Sequence, residues 1–366
     1  SYALVMDDEG TVLFSRGALE RSHIASITKI MTAIVALDSG VPLDSTVTVS
    51  QEAAQVGESS ASLWAGDTLT LEAALAGLMI PSGNDAAIAI ADMAFRYGRK
   101  VVVSGRSMEN VTAKAAELGM TETLFSNPHG LDIGAYDNEM YSCARDVALM
   151  SAYAMGNETF RSIVSKESAQ ITVTRADGKP QVIDLQSTDR LLGTYEGACG
   201  IKTGYTKAAG RCLVFGAKRD GLELIGVVLN CPDWFQEAER ILDMGFAEYE
   251  YFTAFATGES VRVLPVQDGV RETVSIVTQR ELGAPVRKGL VPTLEYTLPD
   301  ELPAGFQLGD EIGEVRLMLD GRTLASSPLI VAEGVPERDY AYEVERFLEL
   351  WPLSSATEQR SFAETP

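Results

Sequence analysis

The sequence predicts a mixed α/β (α+β) protein: a helical cluster beside an antiparallel sheet, followed by a small all-β domain. Three observations carry this. Hairpin signals stand at both ends of the N-terminal part, helical periods fill the stretch between them, and after about Phe255 those periods fade while short β-rich runs continue. A length of 366 residues exceeds what one hydrophobic core usually supports. The expected division is therefore 1–254, then a β-rich domain at 255–336, then a helix and disordered tail at 337–366.

In chain order, Tyr2 to Met6 and Thr11 to Phe14 flank Asp8-Glu9-Gly10, a short hairpin turned by the glycine. No basic and then apolar leader precedes it, so a secretion signal is expected to be absent or already removed. From Ser26 to Asp38, Ile27, Ile30, Met31, Ile34 and Val35 recur at helical steps, and Gly40 follows as a stop. Thr70 to Met79 and Asp85 to Phe95 read as two more helices, interrupted at Pro81-Ser82-Gly83-Asn84, where proline and glycine forbid continuity. Cys212 to Ala217 and Leu222 to Leu229 bracket Arg219-Asp220-Gly221, a hairpin with two apolar arms. Later strand-like runs lie at Val261 to Val266, Thr273 to Thr278, Val315 to Leu319 and Pro328 to Val331. Tyr340, Val344, Phe347, Leu348 and Trp351 form an apolar stripe at helical spacing, with Glu343, Glu345 and Glu349 on other faces. The favoured expectation is a helix packed on its own protein, with peripheral membrane association as the alternative, because the stripe lacks the basic flank that suits anionic lipid. The polar tail from Ser354 is expected to be disordered.

Composition excludes several classes. Hydrophobic residues make up 46% and charged residues 22%, ordinary globular usage. The net charge of -22 argues against nucleic acid as a partner. No apolar run is long enough to span a bilayer. Cys143, Cys199, Cys212 and Cys231 have no C-x-x-C spacing and there are only two histidines, so neither metal nor cofactor is expected. Buried free thiols are favoured over a Cys212–Cys231 cross-strand disulfide.

Ser26-Ile27-Thr28-Lys29 places a hydroxyl and an amine three residues apart at a helix entrance, on neighbouring parts of one face. A serine is a weak nucleophile until a base adjoins it, and a lysine serves when burial or a nearby cation lowers its pKa. Ser82-Gly83-Asn84 adds a hydroxyl and an amide in the interhelical loop. Lys202-Thr203-Gly204 adds a cation, a hydroxyl and a glycine that permits close backbone approach, at a strand start. Singly, these are a helix cap, a turn and a strand end; in this order and these contexts they form a specific set.

The set resembles the S-x-x-K, S-x-N and K-T-G motifs of the serine penicillin-recognising enzymes. Within them the chain looks most like the low-molecular-weight D-alanyl-D-alanine carboxypeptidases, through Ala25-Ser26-Ile27-Thr28-Lys29-Ile30-Met31-Thr32, Asn127-Pro128-His129-Gly130-Leu131, Tyr141-Ser142-Cys143-Ala144-Arg145-Asp146 and the run from Gly200 to Gly210. The likeness covers about residues 2 to 250 and implies a β-lactamase/transpeptidase-like fold, with the following β-rich region like that family's second domain. It implies a peptidoglycan pentapeptide ending in D-alanyl-D-alanine as substrate, β-lactams as inhibitors, and an extracytoplasmic location. Ser26 would attack the penultimate carbonyl, Lys29 would take its proton, and Ser82 would pass a proton to the departing D-alanine. Asn84 would hold Lys29 and the substrate backbone. Lys202 and Thr203 would meet the terminal carboxylate, and the amides of Ser26 and Tyr205 would form the oxyanion hole. Gly204 and Thr206 complete the substrate-binding run, and Arg190 is a second carboxylate candidate, a structural ion pair being the equal alternative. His129 is expected to be structural.

Two residues depart from the family pattern: Cys143 stands where serine or threonine is usual, and Cys199 where aspartate commonly precedes the glycine before K-T-G. A Cys143–Cys199 disulfide is conceivable. A DD-endopeptidase, a β-lactamase and a non-catalytic wall-peptide binder are the alternative functions. No E-x-x-L-N segment supports the β-lactamase, and the intact proton-transfer set argues against the binder.

Overall fold

The computed structural model describes residues 1–7, 10–96, 109–132 and 140–351. The chain divides into two compact units, Ser1–Glu250 and Tyr251–Pro366.

In the first unit, five antiparallel strands run in the order Val12–Arg16, Tyr2–Asp7, Leu222–Leu229, Gly210–Arg219, Ala198–Thr206. The chain's beginning thus pairs with a strand from the unit's far end, Leu4 opposite Val227. Leu222–Leu229 sits centrally and is buried throughout, as its continuous apolar run requires. Its one charge, Glu223, is matched by Arg161 Nη1 at 2.7 and 2.9 Å. The predicted N-terminal hairpin is present, while Asp8 and Glu9 of its turn lie outside the described residues. The helices Lys29–Asp38, Leu71–Met79, Asn84–Arg96 and Ala144–Met155 contribute Ile30, Met31, Leu75, Ile88, Val147 and Met150 to one core shared with the sheet. Thr70, expected inside its helix, is the N-cap instead, its hydroxyl accepting the Ala73 N–H at 3.2 Å.

A four-stranded antiparallel sheet was not foreseen: Thr46–Thr48, Thr68–Thr70, Ser168–Thr174 and Pro180–Gln186. Two of its strands are only three residues long, and in Ser168–Thr174 only alternate residues such as Ile171 and Val173 reach the core, so the hydrophobic signal is thin.

The second unit holds a six-stranded sheet, antiparallel apart from the pairing of Ser260–Gln267 with Leu302–Pro303. Its own core contains Leu264, Ile276, Val315, Leu317, Leu329 and Val331. All four strand-like runs expected here are strands. The helix Tyr340–Leu350 forms, but the expected packing does not: it buries no residue, and Phe347, Leu348, Leu350 and Trp351 are each more than half exposed. The tail from Ser354 lies outside the described residues. No helix among the described residues is long and apolar enough to cross a membrane.

All four cysteines are free thiols, so neither conceivable disulfide forms. Burial pushes Cys143 and Cys212 up to about 11 and Cys199 to about 12, which keeps them neutral.

Candidate active site

Ser26 does not begin a regular α-helix as its spacing suggested. Ala25–Thr28 is a single tight 3-10 turn, entered through Ala25 at a left-handed φ of 48° and continued by the helix Lys29–Asp38. Two glycines explain the tightness, because backbone crowds the turn from both sides. A Cβ on Gly130 would lie 1.9 Å from the Ala25 carbonyl oxygen, and one on Gly204 would lie 2.9 Å from that of Ile24. Two remote segments are therefore pressed against the serine by residues that have no side chain.

Within this turn Lys29 Nζ stands 2.8 Å from Ser26 Oγ, 2.7 Å from Asn84 Oδ1 and 2.9 Å from the His129 carbonyl oxygen. The amine is wholly buried. Burial first, then the Lys202 ammonium, holds it well below the usual lysine range, against the opposing pull of Asp85. A neutral amine at that distance accepts the serine proton; an ammonium would only donate to the oxygen.

Ser82, in the interhelical loop, adopts a left-handed φ of 66° and lines the cleft with Ser26. Gly83 must be glycine, since a Cβ would fall 2.7 Å from the Gly77 carbonyl oxygen. Asn84 is tied by its Nδ2 to the Gly57 carbonyl at 2.9 Å, which leaves Oδ1 for Lys29. Sequence reasoning missed the next residue. Asp85 accepts from Ser60 Oγ and from the amides of Ala61, Leu63 and Ala86, and so pins the 57–63 loop to the helix that carries Asn84. Its signal was an acid in the first turn of a helix.

The Asn127-to-Leu131 block closes another side. Asn127 Oδ1 accepts from the Gly130 amide at 2.7 Å, Thr32 Oγ1 donates to the Pro128 carbonyl at 2.6 Å, and His129 Nδ1 accepts from the Leu131 amide at 3.1 Å. Burial and the nearby Lys29 push the imidazole to about 3, so it is neutral. The part of His129 that reaches the site is its carbonyl, which no side-chain motif could reveal.

On the strand Ala198–Thr206, Thr203, Gly204 and Tyr205 line the cleft, with Ser187, Thr188, Arg190, Trp234 and Phe235 opposite or beside them. The cleft encloses about 560 Å³. Thr203 Oγ1 and Thr188 Oγ1 are 2.6 Å apart. Lys202 is buried behind this wall with Nζ donating to the Thr203 carbonyl at 3.0 Å. Arg190 is exposed at the rim over the Phe235 ring and makes no ion pair among the described residues. Thr206 is not brought to the cleft. Its hydroxyl donates to buried Asp132 at 2.6 Å and accepts from the Ala209 amide, closing the strand end rather than meeting a ligand.

The chain is similar to known proteins over most of its length. Residues 1–233 match the family model D-alanyl-D-alanine carboxypeptidase, and residues 249–337 match that of the penicillin-binding protein 5 C-terminal domain. The chain is 30% identical over 364 residues to the D-alanyl-D-alanine carboxypeptidase DacF of Bacillus subtilis, covering 96% of this chain and 89% of that one. It is 31% identical over 345 residues to DacC, a D-alanyl-D-alanine carboxypeptidase of Escherichia coli, covering 90% and 82%. Among solved structures, penicillin-binding protein 5 of Haemophilus influenzae superposes with a TM-score of 0.67 at 26% identity, covering 92% of this chain and 97% of that one. The Streptomyces K15 DD-transpeptidase superposes with a TM-score of 0.60 at 34% identity, covering 67% and 96%.

Proposed function

The chain belongs to the D-alanyl-D-alanine carboxypeptidase family, and from that premise we propose that it removes the terminal D-alanine from peptidoglycan stem peptides through an acyl-enzyme on Ser26. The observation that carries the reading is the 2.8 Å contact between Ser26 Oγ and a buried Lys29 whose proton affinity is depressed. Lys29 takes the serine proton as Oγ attacks the penultimate carbonyl. The amides of Ser26 and Tyr205 receive the developing oxyanion, a contribution typically about 3 kcal/mol per donor. Ser82 carries the proton to the departing amine, Asn84 fixes Lys29, and Lys202, Thr203 and Arg190 hold the substrate's carboxylate. Water then hydrolyses the ester.

β-Lactams, whose strained amide and carboxylate imitate the D-alanyl-D-alanine end, would acylate the same serine. Peptidoglycan lies outside the cytoplasm, so the protein acts there. The unpacked apolar stripe of Tyr340–Leu350 supports peripheral attachment to a membrane surface.

Labelling with a fluorescent penicillin, with the adduct mapped by mass spectrometry, tests the core of this. Wild type should carry the label on Ser26 and Ser26→Ala should carry none; undiminished labelling of the alanine variant would defeat the mechanism. Release of free D-alanine from a pentapeptide, set against cleavage of a cross-linked dimer, separates carboxypeptidase from endopeptidase.

A further inference from the structure

Behind the cleft wall lies a carboxylate that the mechanism above does not use. Asp189 is 7% exposed. Its Oδ1 accepts the Leu191 amide at 2.9 Å, while its Oδ2 has no hydrogen-bond partner among the described residues. A half-satisfied buried carboxylate is costly, so its presence asks for a reason. The Thr188–Thr203 hydrogen bond fastens this segment to the Ala198–Thr206 strand, and Asp189 and Lys202 are the immediate neighbours of the two bonded residues. Lys202 is as deeply buried, and its Nζ reaches the Thr203 carbonyl with two of its three donor positions left over. Acid and amine form no direct ion pair among the described residues, so the acid does not occupy those donors.

We propose that Asp189 is a positioning residue for the substrate-carboxylate end of the site, a buried counter-charge that keeps the Lys202 ammonium protonated while leaving its donors free. This rests on the carboxypeptidase reading above. A direct salt bridge would hold the ammonium but occupy it, whereas a carboxylate acting through its field does the first without the second. The charges around the pair agree. Burial lowers Lys202 to about 7 with Asp189 pulling it up, and burial raises Asp189 to about 6 with the Leu191 amide and then Lys202 pulling it down. The Lys202 ammonium in turn lowers Lys29, at the start of the Lys29–Asp38 helix. The Cys199 thiol, farther along the Lys202 strand and within the field of Asp189, is pushed to about 12 and stays neutral. Asp189 is thus the acid that offsets burial at Lys202.

Asp189→Asn removes the pull that raises Lys202, so Lys202 should lose its proton at lower pH. The test is the rate of Ser26 acylation across pH by benzylpenicillin and by its methyl ester, which presents the same reactive ring without the carboxylate. For the free acid, the basic limb of the variant's profile should fall by about one pH unit, the ordinary effect of deleting a neighbouring opposite charge. The ester's profile should not move. Asp189→Ser, smaller and also uncharged, must displace the free-acid limb in the same direction. A free-acid profile that superposes on wild type, or an equal loss of rate for acid and ester at every pH, would overturn the proposal and leave Asp189 a structural residue. Failure of wild type to label at Ser26 with either compound would instead overturn the carboxypeptidase reading itself.

Discussion

The proposed cycle needs its two buried lysines in opposite protonation states, Lys29 neutral to accept a proton and Lys202 charged to meet a carboxylate. Both are shifted downward by burial; the Lys202 ammonium lowers Lys29 further, while Asp189 pulls Lys202 back up. The signs follow directly. Acylation should rise with pH as Lys29 loses its proton and fall again as pH passes the Lys202 value of about 7. Binding a substrate carboxylate adds a negative partner to Lys202 and raises its proton affinity. The basic limb of kcat should therefore lie at higher pH than that of kcat/KM, because the former reports the complex and the latter the free enzyme. Steady-state D-alanine release from a pentapeptide across pH measures both; coincident basic limbs would remove Lys202 from carboxylate recognition. His129, neutral down to about 3, should contribute no inflection in this range. At this scale Ser26, Lys29, Ser82, Asn84 and Lys202 were legible only as a set, because singly they read as a helix cap, a turn and a strand end and only their order and contexts match a known family's motifs. The His129 carbonyl and the Asp189 carboxylate were not legible at all, because backbone atoms have no sequence signature and an acid reads as surface until its burial is known.

Elements position these groups mainly where side chains are missing. The Ser26 turn is held between the Asn127-to-Leu131 block and the Ala198–Thr206 strand, and at both contacts a glycine lets backbone approach backbone. Gly130 also sits at a φ of +89°. Gly130→Ala should therefore cost roughly 2–4 kcal/mol of stability, from left-handed strain together with a clash that backbone atoms cannot evade. By displacing the Ala25 carbonyl it should slow Ser26 acylation about a hundredfold, the usual consequence of misplacing a nucleophile by an ångström. Gly40→Ala, beyond the far end of the Lys29–Asp38 helix at a φ of +71° with open space around it, is the control. It should show a smaller loss of melting temperature and near-normal labelling. Equal acylation by the two variants would show that the Gly130 contact does not shape the turn. The helical period ran from Ser26 onward and so concealed this 3-10 turn, because periodicity registers which face is apolar and not how tightly the first turn winds. The four-stranded sheet escaped notice for a related reason: two of its strands are only three residues long, and the other two place only a few apolar residues among polar ones.

Across the whole molecule, a mixed α/β part followed by a β-rich part was visible in the succession of hairpin, helix and strand signals, while the pairing order of the strands was not. What periodicity could not say was whether an amphipathic stripe meets protein or something else. Tyr340–Leu350 has the spacing of a packed helix, yet the rings of Phe347 and Trp351 meet each other, tilted at 45° with centroids 5.0 Å apart, and each residue is more than half exposed. Its charged residues are Glu343, Glu345, Arg346 and Glu349, and the chain as a whole carries -22. Attraction to anionic headgroups is therefore excluded as the force holding such a helix to a bilayer, and burial of its aromatic and aliphatic side chains must supply the affinity. Two expectations separate this from a basic anchor. Co-sedimentation with zwitterionic phosphatidylcholine vesicles should match or exceed that with phosphatidylserine vesicles, and added salt should not release the protein, because screening acts on charge and not on apolar contact. Phe347→Glu combined with Trp351→Glu should abolish sedimentation while leaving D-alanine release from a soluble pentapeptide unchanged, since neither residue lines the cleft. Wild type that stays in the supernatant with both kinds of vesicle would assign the exposed stripe to a protein partner instead.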